Sequence, residues 1–69
     1  VKPPTRIEIE EFNGPLESVW GWDIVEYNLI VAKSLYNFTS KEECAANAMS
    51  FSKKTVPVIP VYFNQTLLS

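Results

Sequence analysis

The sequence predicts an α+β fold: a three-stranded antiparallel meander, one helix packed across it, and a carboxy-terminal extended edge strand or arm. Three observations carry this. From Thr5 to Phe38 apolar residues mostly recur at every second position, the period of a half-buried strand. From Ser40 to Thr55 they recur at helical spacing, because strand side chains alternate faces while helical ones repeat every 3.6 residues. After Thr55 the β-branched and aromatic residues return, now with Pro57 and Pro60 among them.

The elements follow in order. Val1 to Pro4 is a lead-in, since Pro3-Pro4 lacks amide hydrogens and favours an extended entrance to the first strand. Thr5 to Phe12 sets Ile7 and Ile9 against Arg6, Glu8 and Glu10, the pattern of a strand wet on one side. Asn13-Gly14-Pro15 ends it with a turn, Asn-Gly supplying the positive φ, and the loop extends to Glu17 or Ser18. Val19 to Tyr27 forms the second strand, with Trp20, Trp22 and Ile24 on one face. Gly21, between the tryptophans, marks a bulge or a close approach of another backbone. Asn28 carries a short hairpin into Leu29–Leu35, which is apolar on both faces and therefore reads as a central or doubly covered strand.

Ser40-Lys41-Glu42-Glu43 has the form of a capping box, and the two glutamates suit the positive end of a helix dipole. Cys44, Ala45, Ala48, Met49, Phe51 and Ser52 make a narrow stripe that lets the helix lie close to a sheet. Lys53 and Lys54 fall in its last turn, where positive charge is favourable. Thr55-Val56 ends it ahead of Pro57. The segment Val56–Phe63 is either an edge strand with its proline nitrogens outward or a polyproline-like arm. Its apolar content calls for cover, by its own sheet or by a partner. Asn64–Ser69 reads as a frayed tail.

Sixty-nine residues form one small domain: lead-in 1–4, sheet and helix 5–55, carboxy-terminal strand or arm 56–69. A chain this short buries only about 60% of its extended surface, so a further stabilising device is expected. Cys44 is the only cysteine, which excludes an internal disulfide, and with no histidine a zinc cage is not expected. Association remains. A net charge of −2 and a pI near 4.9 argue against a binder of nucleic-acid backbone, which needs clustered Lys and Arg. No apolar run is long enough to span a bilayer. A lone cysteine suits a reducing compartment, so the expected location is cytoplasmic, and Asn37 and Asn64, each in an Asn-x-Thr triplet, read as chance matches to the glycosylation pattern.

No catalytic, metal or cofactor residues are expected. Glu8, Glu10 and Glu11 read as solvated charges that blunt a sheet against edge pairing. Asp23, inside an apolar strand, is explained by a surface position opposite Lys33. Cys44 lies in the first helical turns, where a dipole lowers a thiol pKa, but no cation or histidine activates it and Glu42 and Glu43 oppose a thiolate. It reads as a buried packing residue. Trp20, Trp22 and Tyr27 can form a base-stacking platform on a sheet, yet core or interface roles fit an acidic chain better.

The runs Trp20-Gly21-Trp22-Asp23-Ile24-Val25, Leu29-Ile30-Val31-Ala32-Lys33-Ser34 and Tyr36-Asn37-Phe38-Thr39-Ser40-Lys41-Glu42-Glu43-Cys44-Ala45 resemble the YegP-like small bacterial domain. The resemblance covers roughly half of the chain. It implies strands leading into a helix, in units that pair within a chain or as dimers. That family has no assigned biochemical role, so no site residues transfer. The chain departs from the pattern in its hairpin, which lacks Asn-Gly, in having no second repeat, and in its proline-containing arm.

The expected function is non-enzymatic protein association through an edge strand and the arm, with Trp20, Trp22, Tyr27, Val58, Ile59, Val61, Tyr62 and Phe63 as contact residues. A homodimer is the simplest form, because a self-complementary edge closes with two-fold symmetry. A small acidic adaptor or inhibitor docking on a larger host protein, as phage-encoded proteins do, belongs to the same class. The alternative is a nucleic-acid-binding module built on the sheet aromatics.

Overall fold

The computed structural model describes residues 2–69; Val1, the first residue of the expected lead-in, lies outside the described residues. The chain runs β1 (Thr5–Asn13), β2 (Ser18–Glu26), β3 (Leu29–Lys33), α1 (Lys41–Ser52), β4 (Val61–Phe63) and β5 (Thr66–Leu67). The strands form one mixed sheet in the order β3-β2-β1-β4-β5, and α1 packs across one face against β1, β2 and β4.

The meander is as the alternation predicts. β1 and β2 pair antiparallel over nine positions, from Thr5 opposite Glu26 to Asn13 opposite Ser18. Directly opposed residues share a face, so Ile7 with Ile24 and Ile9 with Trp22 turn towards the helix. Tyr27 and Asn28 both adopt positive φ, 52° and 66°, which makes a two-residue hairpin turn whose twist matches its strands. Asn28 therefore shares the turn with Tyr27. The loop after β1 closes through the Gly14 amide donating to Glu17 O at 2.9 Å, and Gly14 is not at positive φ.

The antiparallel three-stranded sheet is corrected by the carboxy terminus. Val61–Phe63 lies parallel to Ile7–Ile9, inside the sheet rather than at its edge, and β5 pairs antiparallel beyond it. The physical reason is burial. Val61 stands opposite Ile7 and both are fully buried, so the apolar content of the segment is absorbed by its own chain. Pro57 and Pro60 do not force it outward, because both precede the ladder, and Pro60 offers its carbonyl to the Ile7 amide at 2.8 Å. Asn64, at φ 55°, turns the chain back. The expected frayed tail is in fact β5, followed by Leu68 packed on the core with its amide donating to Val61 O at 2.8 Å.

The helix starts where the cap predicts: the Ser40 hydroxyl accepts the Glu43 amide at 3.1 Å. It ends three residues earlier than expected, at Ser52, so Lys53 and Lys54 lie beyond its last turn rather than in it. Cys44, Ala48 and Ser52 are buried at four-residue spacing, and Ala45 and Met49 flank them. Small side chains there bring the helix axis near the sheet, and Ile7, Ile9, Trp22 and Val61 complete the core.

Candidate functional site

β3 is the outermost strand of the sheet, with one side of its backbone unpaired. The expectation of a central or doubly covered strand is thus overturned. Leu29 is 69% exposed, Ile30 51% and Val31 57%, and the flanking Tyr27, Leu35 and Tyr36 are exposed as well. A register shift opposite Ile24 and Val25 lets Val31 stand between the paired Ile30 and Ala32. The other edge, β5, has only two residues. A continuous run of exposed apolar side chains therefore lies along one free strand, the arrangement that soluble proteins ordinarily blunt with charge or proline, while Leu16, Val56, Val58 and Leu67 are exposed elsewhere.

Past Lys33 the chain makes a detour. The Ser34 amide still donates to Trp22 O at 2.7 Å; Leu35, Tyr36 and Asn37 then leave the ladder, and Phe38 rejoins it opposite Trp20 with paired backbone bonds of 2.7 Å in each direction. Gly21 lies beside this detour. A β-carbon there would stand 3.4 Å from Asn37 Oδ1, the Phe12 ring and Ser34 Oγ. The close approach anticipated at Gly21 is thus made by side chains, and the register shift of β2 falls at Ile24–Val25 instead. The Ser34 hydroxyl accepts the Trp22 amide at 3.2 Å and donates to Tyr36 O at 3.0 Å, which fixes the detour.

The face of the sheet away from the helix carries Arg6, Glu8, Glu10, Asp23 and Lys33. Glu8 takes Arg6 at 2.6 Å and Lys2 at 3.0 Å. Burial, the largest influence on Glu8, raises its pKa, but the hydrogen bonds and charges of Arg6 and Lys2 together hold it below the ordinary value. Glu10 is raised, first by burial and then by Asp23. Asp23 does lie opposite Lys33, at 3.4 Å, but it is 3% exposed rather than a surface residue.

The expected contact residues are dispersed. Trp20 faces the helix side, its ring 5.7 Å from Phe63. Trp22 is buried, its ring 5.0 Å from Phe51. Tyr27 sits in the β2–β3 turn, so the three aromatics form no common platform. Val61 is fully buried; Ile59, Tyr62 and Phe63 are half-buried; of the arm residues expected to make contact, Val58 alone is open to solvent. The residues that the sequence reading missed are Leu29, Ile30, Val31, Leu35 and Tyr36. Their signal was present in the two-sided apolar pattern of β3, but that pattern is shared by central strands.

Cys44 is fully buried, and burial followed by the charge of Asp23 pushes its thiol up to about 11. Among the described residues, no three His, Cys, Asp or Glu side chains are grouped to hold a metal ion, and no helix is long and apolar enough to cross a membrane. Compared with models of protein families, with curated proteins and with solved structures, the chain shows no match in any of the three.

Proposed function

We propose that this chain is a protein-association module that works by strand addition at the β3 edge, and that its simplest partner is a second copy. The observation that carries this reading is the exposure of Leu29, Ile30 and Val31 on a strand whose outer backbone groups have no ladder partner. Two such edges meeting antiparallel about a two-fold axis would join the sheets and cover Tyr27, Leu35 and Tyr36 at the ends of the seam. The carboxy-terminal segment supports the fold in this reading, because Val61 and Phe63 are engaged within the chain. The nucleic-acid alternative loses its support, since Trp20 and Trp22 are turned to the helix side.

Light scattering on the full chain tests the proposal. A mass of twice 7.9 kDa is expected, falling to the single-chain value for Val31→Lys, which places a charge on the exposed edge without touching the core. A monomer over the whole accessible concentration range, or a dimer indifferent to Val31→Lys, overturns self-pairing through β3.

A further inference from the structure

The segment that carries the chain from α1 to β4, residues 53–60, lies at one end of the sheet. Its anchors fix that position: Ser52 Oγ donates to Ile59 O, and Pro60 O accepts the Ile7 amide at 2.8 Å near the start of β1. Between these anchors the loop turns apolar side chains outward. Val56 is 98% exposed, more than any other large apolar residue among those described, and Val58 is 64% exposed. Lys53 and Lys54 precede them, both exposed and in no ion pair among the described residues. The exposed charge of the chain is segregated between its ends. Glu11 and Glu17 flank the β1–β2 loop at the far end, and Glu42 and Glu43 open α1 there, where Lys41 reaches the Phe63 ring. At the end that holds the loop, Glu8 engages Lys2 and Arg6, and Glu26 is the exposed carboxylate side chain. A net charge of −2 thus hides an end with two free lysines beside two open valines.

We propose that residues 53–58 seat this protein on an anionic lipid surface. Val56 and Val58 enter below the headgroups, while Lys53 and Lys54 stay among the phosphates and carboxylates. The backbone of the loop suits that setting, because unpaired amides are costly where water is scarce. The amides of Lys53, Lys54 and Thr55 donate to Met49 O, Phe51 O and Ser52 O. That of Ile59 goes to Thr55 Oγ1, and Pro57 and Pro60 have no amide hydrogen. Only the Val56 and Val58 amides lack a partner among the described residues of the loop. A lipid surface also deforms around protruding side chains, whereas a protein partner must offer a pocket for each. The acidic end does not oppose the contact. The nine residues of β1 separate the two ends by roughly 25–30 Å, against a Debye length of about 8 Å. The loop shares no residue with the β3 edge and does not depend on strand pairing.

The test is flotation of the full chain with vesicles of phosphatidylcholine carrying ~30% phosphatidylserine, against vesicles of phosphatidylcholine alone. At low salt the protein should float with the anionic vesicles, half-bound at about 1 mM lipid, and stay behind with the neutral ones. Raising the salt to about 0.5 M should weaken binding by roughly fivefold or more. The double variant Lys53→Gln/Lys54→Gln should lose about twentyfold, roughly fivefold for each lysine. Val56→Ser should lose about tenfold. All three side chains are exposed, so the urea midpoints of both variants should match that of the unmodified chain, which separates lost lipid contact from lost fold. Failure to float with the anionic vesicles, equal binding to both vesicle types, or full binding by both variants overturns the proposal. Binding that survives Val56→Ser unchanged, or that soluble glycerophosphoserine competes away, marks headgroup contact alone and overturns insertion of the loop.

Discussion

The indole nitrogen of Trp22 donates to Asn47 Oδ1 at 2.8 Å, tying the middle of β2 to the middle of α1. Around it, small helical residues bring the two elements together, and Phe51 closes over the indole ring. Among the described residues it is the one side-chain hydrogen bond between α1 and the strands, and with the Lys41 ammonium 4.0 Å from the Phe63 ring centre it gives direction to a contact that is otherwise apolar. It also explains why Trp22 is unable to act as a stacking surface.

Asn47→Ala should therefore destabilise the fold by about 0.5–1.5 kcal/mol, the usual net worth of such a bond. Asn47 itself is exposed, so the loss would come from the orphaned indole N–H and not from a cavity. Urea denaturation measures the change, and tryptophan emission in the native state should shift as the indole loses its acceptor. No change in either would show that the contact does not orient the helix.

The link from α1 to β4 is a second polar device. Ser52, buried at the end of the helix, donates through Oγ to Ile59 O. Thr55 Oγ1 donates to Ser52 O at 2.7 Å and accepts the Ile59 amide at 3.1 Å. Ser52→Ala strands the Ile59 carbonyl and should cost about 1–3 kcal/mol. Thr55→Val should cost a similar amount, and the double variant less than the sum, because the two hydroxyls serve one loop. Strict additivity in chemical denaturation would mean that the bonds act separately.

The meander and the helix were legible because their signals are local. Ile7 and Ile9 alternate with charges, Ser40 stands three residues before Glu43, and the β2–β3 link is too short for anything but a hairpin. The place of Val61–Phe63 was not legible. Three residues carry no period, and their partners in β1 lie more than fifty positions away in the chain. For β3 the difficulty was different: an apolar strand is equally compatible with the centre of a sheet and with an edge awaiting a partner. Asp23 was read as exposed because its pairing with Lys33 was foreseen, while its near-complete burial on the strand face opposite Glu8 was not.

Glu8 and Glu10 sit two residues apart on the same face and should respond to pH with opposite sign. Glu8 is held below the ordinary carboxylate value despite burial, so its stabilising contribution is present above its unfolded-state pKa and is lost as pH falls through the folded value. Glu10 is raised, by burial first and Asp23 next, so its contribution is present below its unfolded-state pKa and is lost as pH rises through the folded value. At about pH 7, Glu8→Gln should cost roughly 0.5–1 kcal/mol, while Glu10→Gln should be neutral or stabilising by a few tenths. At about pH 3 the penalty of Glu8→Gln should shrink and any gain from Glu10→Gln should vanish. Urea midpoints at the two pH values decide this, and equal signs for both variants would refute it.

Cys44 supplies the test of whether the thiol is available for chemistry. It is fully buried between α1 and the sheet, its pKa is pushed up to about 11 by burial and then by Asp23, and Glu42 and Glu43 precede it. A thiol so placed is protonated near neutral pH and out of reach of a reagent until the helix lifts. Labelling with an aromatic disulfide reagent should therefore be slow in the native protein and fast in denaturant, with a native rate that tracks the opening of α1. Ser52→Ala, which loosens the end of that helix, should accelerate labelling in proportion to its loss of stability. Rapid labelling of the unmodified native chain would instead place the thiol at an accessible surface and restore a nucleophilic role to Cys44.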